Sequence, residues 1–156
     1  MTYDFYAQLA VGQAGERKVH DYLSQEWQLI HALVPQEVEL GIDYLAFHKT
    51  TGEERTFEVK TDLYQSGNCF LETVKNDRTK TLGWAHTCAA DRLLYYLPNL
   101  GGKLLIIQPP VIRANLPFWV TKFRSVEVPN PGYKTIGLLV PVTELEAISE
   151  QQIYLN

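Results

Sequence analysis

One acidic residue inside an apolar segment is the first feature of this sequence that suggests chemistry. Asp43 lies between Ile42 and the run Tyr44–Phe47, so we expect its side chain to be largely buried. Burial of an isolated carboxylate is costly unless the group is hydrogen bonded, paired with a cation or coordinated to a metal ion. We therefore predict that Asp43 belongs to a functional site.

The next strand-like segment carries a second carboxylate and a cation two positions apart. In Glu58-Val59-Lys60, the alternation of side chains along a strand puts Glu58 and Lys60 on one face. A hard divalent ion prefers a few carboxylate oxygens, with water completing its shell. A nearby Lys can orient or help to deprotonate the attacking water, or stabilise negative charge at phosphorus. Most E-x-K triplets only decorate the exposed face of a strand, and that alternative stays open.

A short turn connects these two segments. Lys49–Glu53 contains Gly52, which suits a turn position of positive φ, so the sequence predicts a β-hairpin over residues 42–60. Across the hairpin, Asp43 should lie within about a residue or two of Glu58. Two carboxylates and an ammonium group then converge, which favours a hydrolytic phosphodiester site over mere surface decoration.

Periodicity and turn residues predict the elements around the hairpin. The predicted helices are Gln13–Ser24, His86–Leu97, Ala114–Phe123 and Val142–Ile148. The predicted strands outside the hairpin are Trp27–Val34, Cys69–Val74, Lys103–Gln108 and Thr135–Val140. Cys69–Val74 is expected to extend the sheet of the hairpin as its third strand. The core then has the order αβββαβ.

This arrangement resembles the PD-(D/E)XK nuclease superfamily, whose core is a helix, a three-stranded meander, a helix and a further strand. The resemblance covers about Gly12–Gln108, where Asp43 matches the first acidic residue of the family and Glu58-Val59-Lys60 matches its E-x-K. Ile42 stands where the family nominally has proline. The resemblance implies an α+β protein with a restriction-endonuclease-like core, in which helices flank a mixed central sheet, followed by a C-terminal extension.

The resemblance also implies an activity and a cofactor. Asp43, Glu58 and the Val59 carbonyl would hold Mg²⁺, or Mn²⁺ in its place, while Lys60 assists the attack of water on a DNA phosphate. In the family a Glu on the first helix often helps to hold the metal, and Glu16 is at the matching position. Glu16 is therefore predicted as a further metal ligand, although a Glu in a first turn can also simply complement the helix dipole.

Two later segments, Gly67–Glu72 and Leu82–Trp84, look like those of small resolvase-like and phage-type members of the superfamily. Glu72 could approach the site from its strand or only pair with Lys60 or Lys75. Asp91 is interpreted as a buried or helix-facing structural acid. Neither residue is included in the predicted site.

The net charge of −4 argues against binding of nucleic acid over the whole surface, so the phosphate contacts should be concentrated locally. Lys75, Arg78 and Lys80 follow the predicted third strand and are expected to form a basic groove beside the site, with Arg92 as a further candidate. The next cationic residues to consider are Arg113, Lys122 and Arg124.

Composition bounds the remaining function classes. We expect residues 1–156 to form one nuclease-like domain, because 46% of the residues are apolar and no repeat or low-complexity segment is present. Two cysteines without a CxxC motif and four scattered histidines indicate neither a disulfide framework nor a zinc site. Walker and G-x-S-x-G motifs are absent. No signal sequence or membrane-spanning segment is recognised, so a cytoplasmic protein without a membrane partner is expected.

Two rival functions stay open at this point. The chain could be a catalytically inactive nuclease-like fold that binds a nucleic acid or a protein partner. It could also be a structural or regulatory protein in which Asp43 and Lys60 form a buried ion pair with Glu58 beside them. The complete set of Asp, Glu and Lys favours an Mg²⁺-dependent endodeoxyribonuclease, and the sequence leaves open whether it acts as a homodimer.

Overall fold

The computed structural model describes residues 5–33, 35 and 39–155, in which ten strands and four helices are defined. The helices are α1 (Phe5–Leu23), α2 (Trp84–Thr87), α3 (Pro109–Lys122) and α4 (Val142–Ile148). The strands are β1 (Trp27–His31), β2 (Tyr44–His48), β3 (Glu54–Thr61), β4 (Asn68–Asn76), β5 (Thr81–Leu82), β6 (Arg92–Leu97), β7 (Lys103–Ile107), β8 (Ser125–Asn130), β9 (Tyr133–Pro141) and β10 (Gln151–Tyr154). None of the described helices is long and apolar enough to cross a membrane.

The larger of the two sheets is mixed, with the strand order β1-β2-β3-β6-β7-β10. The predicted hairpin is confirmed, since β2 and β3 pair antiparallel with Tyr44 opposite Phe57. β1 extends the hairpin to an antiparallel three-stranded meander. It ends at His31, so the predicted strand Trp27–Val34 is too long at Ala32 and Leu33, while Val34 lies outside the described residues. β3 and β6 are parallel, whereas β6, β7 and β10 are antiparallel neighbours. The α+β class with a mixed six-stranded sheet is therefore established.

The expectation that Cys69–Val74 joins the sheet of the hairpin is wrong. This segment is part of β4, which belongs to a second sheet with the order β5-β4-β9-β8. Both edges of β3 are already used, by β2 on one side and β6 on the other, so β4 has no place beside it. The buried carboxylate of Asp62 accepts the amide protons of Tyr64 and Phe70 and turns the chain away from the sheet.

The predicted helix His86–Leu97 is also wrong, because its second half is the strand β6 and only the single turn of α2 precedes it. Leu93–Leu97 are all buried, as expected for a central strand that is covered on both faces. A short apolar run of this kind fits either element, and periodicity alone cannot decide between them. The connection from β3 to β6 therefore contains β4, β5 and α2 in place of one helix, and the order αβββαβ is not observed.

The other predicted elements are confirmed, with shifted bounds in most cases. β9 covers its predicted strand, β7 ends at Ile107, one residue before the predicted end, α3 begins earlier than expected, with Pro109 in its first turn, and α4 has the predicted bounds. α1 also begins earlier, at Phe5. β8 and β10 were not predicted.

Alternating residues of the central sheet form two separate cores. On one face, Val19 and Leu23 of α1 pack with Phe57 and Leu94. On the other face, β6 and β7 pack against α3, α4 and the second sheet, with Trp119 fully buried among them. The large sheet is therefore the middle layer of the described structure. The position of α1 on one face determines which helix residues lie near the end of β3.

α1 lies in close contact with the end of β3 at Gly15. A Cβ atom added at Gly15 would lie 2.0 Å from Oγ1 of Thr61, the last residue of β3. One turn earlier, a Cβ atom at Gly12 would meet nothing within 4 Å. The missing side chain at Gly15 is therefore what lets the helix lie directly on the end of β3.

We predict that Gly15→Ala lowers the free energy of unfolding by about 1–3 kcal/mol, because the added methyl group overpacks the contact with Thr61. The matched variant Gly12→Ala should be neutral or more stable by up to about 1 kcal/mol, since Ala favours the helix where space is free. Denaturant unfolding of both variants measures the difference. An equal response at the two positions would contradict the close approach of α1.

Candidate active site

A cleft between α1 and the end of β3 contains the residues that the sequence singles out. Its volume is about 330 Å³. The residues that line it are Leu9, Gly12, Gln13, Glu16, Asp43, Glu58, Val59, Lys60 and Thr61. The fold thus brings together the three predicted catalytic residues, the main chain of Val59 and the predicted helix-borne Glu16.

The position of Asp43 follows from the unequal lengths of β2 and β3. The ladder between them ends at Tyr44, while β3 continues to Thr61. The amide of Asp43 donates to the Phe57 carbonyl over 2.8 Å, and its Oδ2 accepts the amide proton of Val59 over 2.7 Å. A strand residue directs its N–H and C=O to the same side, so the Val59 carbonyl also faces this edge.

Glu58 and Lys60 share the opposite face of β3 from Phe57 and Val59, as predicted. Glu58 is only 5% exposed, and its Oε1 lies 2.8 Å from Nζ of Lys60. The Lys60 side chain is 33% exposed, so its ammonium group satisfies Glu58 and still reaches the cleft. The ion pair of Asp43 with Lys60 that the structural alternative predicts is therefore wrong, because Lys60 pairs with Glu58.

The surroundings of Asp43 disfavour its ionised form. Burial raises the pKa of Asp43, the negative charge of Glu58 and, more weakly, that of Glu16 add to the rise, and the result is a pKa of about 7. The Val59 amide and the charge of Lys60 offset only part of this effect. A cation bound between the carboxylates would remove the repulsion, so the site is electrostatically suited to one.

Lys60 keeps its proton at neutral pH. Burial lowers the pKa of Lys60, but the ion pair with Glu58 and the charges of Asp43 and Glu72 outweigh that effect and raise it above the ordinary value. Of the roles that the sequence left open for this residue, a protonated ammonium group is suited to orient water or to stabilise negative charge, and it cannot accept a proton from water.

Glu16 lies in the cleft with one oxygen engaged. Its Oε1 accepts a hydrogen bond from the Tyr44 hydroxyl over 2.9 Å, which ties α1 to the first residue of β2. Its charge also acts on Asp43. Tyr44 is a partner that the sequence analysis missed, since nothing in the local pattern indicates which tyrosine faces the helix.

The donor set at this edge fits a hard cation better than zinc. Within the described part of the chain, no three His, Cys, Asp or Glu side chains form a group able to hold a metal ion. The groups available are the carboxylates of Asp43 and Glu58 and the carbonyl of Val59. Mg²⁺ is commonly held by one or two carboxylates and keeps several waters, so this set is chemically suitable.

Residues near the predicted site have structural partners. Glu72 accepts the Trp84 amide proton over 3.4 Å and adds negative charge near Lys60. Asp91 is exposed, not buried as expected, and accepts hydrogen bonds from the amide and hydroxyl of Thr56. Both acids therefore serve to connect elements around β3.

The predicted basic groove residues lie on the β4–β5 hairpin. Lys75, Arg78 and Lys80 are exposed, and none of them forms an ion pair within the described residues. Arg92 differs, because its guanidinium group donates to Glu150 over 2.6 Å. The hairpin is part of the second sheet, and Glu72 on its strand β4 adds to the rise of the Lys60 pKa.

We predict that Asp43→Asn stabilises the metal-free protein by roughly 2–4 kcal/mol at pH 8. The amide oxygen can still accept the Val59 N–H, while the repulsion from Glu58 is removed. Because the pKa of Asp43 is raised in the folded state, wild-type stability falls as pH rises from about 4 to about 7, and the gain of the variant should grow over the same window.

Denaturant unfolding between pH 4 and pH 8 tests this expectation. The control is Asp21→Asn, which removes the charge of a carboxylate on α1 whose side chain is 75% exposed. A gain for Asp43→Asn that does not depend on pH would show that repulsion in the site is not its cause.

Comparison of the chain with models of protein families, with curated proteins and with solved structures found no match.

Proposed function

We propose that this protein is a metal-dependent nuclease of the PD-(D/E)XK type that hydrolyses DNA phosphodiester bonds. The observation that carries the proposal is the convergence of Asp43, Glu58, the Val59 carbonyl edge and Lys60 on one cleft. The raised pKa of Asp43 supports it, because a site that holds two carboxylates in mutual repulsion is suited to bind a cation.

The residues of the cleft have distinct roles in this proposal. Asp43, Glu58 and the Val59 carbonyl would hold Mg²⁺ or Mn²⁺, with Glu16 at the helix side of the cleft. A divalent ion held by these residues would supply Lewis-acid chemistry to the phosphate and to the attacking water. Lys60, held as an ammonium group by Glu58, donates hydrogen bonds to the attacking water or to a phosphate oxygen and stabilises the charge that develops there.

The topology of the large sheet supports a restriction-endonuclease-like core. α1 packs on the antiparallel meander β1-β2-β3, and β6 lies parallel to β3 on its other side. In this interpretation, β4, β5 and α2 replace the helix that connects the last two core strands in the family. The two segments that resemble resolvase-like and phage-type members, Gly67–Glu72 and Leu82–Trp84, lie within this connection.

One observation favours a second candidate function, a nuclease-like module that binds DNA without cutting it. Glu58 and Lys60 form a 2.8 Å ion pair, so each already satisfies the other. In a binding module this pair would be permanent, whereas in the nuclease Glu58 would also serve the metal. Assays of cleavage separate the two candidates.

We predict metal-stimulated cleavage within a panel of linear, branched and single-stranded DNA, and its loss in Asp43→Asn and Glu58→Gln by at least about a hundredfold. Lys60→Met should lose cleavage to a similar extent while it still binds Mn²⁺ in calorimetry, because Lys60 does not ligate the ion. Asp21→Asn serves as the control and should cut normally. Wild-type activity in either carboxylate variant would refute the site, and an inactive wild type would favour the binding module.

We also predict that the β4–β5 hairpin contributes to DNA binding. Replacement of Lys75, Arg78 and Lys80 by Gln should weaken DNA binding. It should also make the slope of log affinity against log salt concentration less steep by about 2–3, since each phosphate contact contributes about 0.7–0.9 to that slope. A control with the same charge change replaces Arg17, Lys18 and Lys49. Equal effects of the two triple variants would place the DNA elsewhere, with Arg113, Lys122 and Arg124 next to be tested.

A further inference from the structure

A second cavity adjoins the candidate active site and shares part of its wall. The cavity has a volume of about 490 Å³, and Gly12, Lys60 and Thr61 line both it and the cleft. Nζ of Lys60 lies 5.9 Å from the centroid of the Trp84 ring in this cavity and 2.8 Å from Glu58 in the site. A group bound in the cavity would therefore be next to whatever occupies the site.

Aromatic rings line the second cavity. The rings of Tyr64 and Phe70 are close to parallel, with an angle of 14° and centroids 6.3 Å apart, and Trp84 and Tyr95 also contribute to the wall. Tyr64 is 42% exposed, so part of its side chain is accessible to a ligand. The cavity thus presents ring faces to a ligand, beside a cation.

One buried carboxylate fixes the rings in place. Asp62 is 7% exposed, and it accepts the amide protons of Tyr64 and Phe70, each over 2.9 Å. It also accepts the Tyr95 hydroxyl proton. Both oxygens of Asp62 are therefore used within the protein, and the aromatic walls are organised before a ligand enters.

These features define the class of ligand. A planar group can stack on Tyr64 and Phe70, while the adjoining ammonium group of Lys60 favours an anionic substituent on the side of the cleft. A nucleotide has this combination, a base joined through its sugar to a phosphate. The cavity volume is within the range of sites that enclose molecules of this size.

We propose that the cavity binds an unpaired nucleobase of a DNA strand whose phosphate lies at Lys60, so that the protein acts on single-stranded or locally unpaired DNA. This inference rests on the proposed nuclease function. A base in a duplex would have to leave its stack to enter, at a cost in free energy that an unpaired base avoids. Because both oxygens of Asp62 already accept hydrogen bonds from the protein, the cavity is suited to stacking more than to readout of base edges, and all four bases should be accepted.

The test is equilibrium binding of the full chain to labelled oligonucleotides in buffer with EDTA, where binding is measured apart from cleavage. A thymidine oligomer should bind more tightly than a blunt duplex of equal length. Tyr64→Ala should weaken binding of the single strand on the order of ten- to a hundredfold, the loss of one stacked base, and leave the duplex affinity unchanged. Tyr64→Phe, which keeps the ring, should bind the single strand as the wild type does. The matched control is Tyr154→Ala, which removes a tyrosine on β10 that is 60% exposed.

Abasic substitution tests whether Tyr64 contacts a base. When all positions of the oligomer but one are abasic, removal of the last base should weaken binding to the wild type as much as Tyr64→Ala does, and it should have no further effect in that variant, since both changes remove the same contact. Independent losses would assign Tyr64 to the fold and overturn the proposal.

Three outcomes overturn the inference without touching the proposed function: equal binding of single strand and duplex, an effect of Tyr64→Ala no larger than that of Tyr154→Ala, or tight binding of thymidine monophosphate that the oligomer does not displace. Unchanged cleavage by Asp43→Asn, in contrast, would refute the nuclease site while a Tyr64-dependent preference for single strands still stood. The two failures are therefore distinguishable.

Discussion

The hydrogen bond from the Val59 amide to the Asp43 carboxylate is the interaction on which the candidate site depends. β3 extends beyond the end of its ladder with β2, and a buried strand amide without a partner is costly. Asp43 satisfies this amide, and in doing so it holds a carboxylate beside the buried Glu58. Asp43 thus supplies the acceptor that the Val59 amide needs, and it also places a second negative charge beside Glu58. The first effect stabilises the fold and the second destabilises it.

Lys60 compensates only part of that charge. Its ammonium group is paired with Glu58. Its charge also lowers the pKa of Asp43, but by less than burial and the charge of Glu58 raise it. A closed structural ion-pair network would be expected to satisfy each carboxylate. The remaining negative charge lies at an open cleft, and this supports the proposed function over a buried pair that only stabilises the fold.

The parts of the fold that could be predicted from sequence are those determined locally. A short turn fixes the register of the β2–β3 hairpin, and register places Asp43 next to Glu58. The destination of Cys69–Val74 depends instead on which edges of β3 are already occupied, and the strand character of Arg92–Leu97 depends on burial of both its faces. The aromatic cavity was missed for the same reason, because its walls come from distant segments that only the folded chain brings together.

The last two residues of β3 and the residue that follows them connect these long-range features. Lys60 points to the cleft, Thr61 lies against Gly15 of α1, and Asp62 is buried where it holds Tyr64 and Phe70. Successive residues of a strand face opposite sides, so a slip of one position would direct Lys60 at the helix and remove the acceptor that organises the aromatic loop. The register at the end of β3 therefore determines three features together: the ion pair of Lys60, the position of α1 on the sheet and the walls of the second cavity.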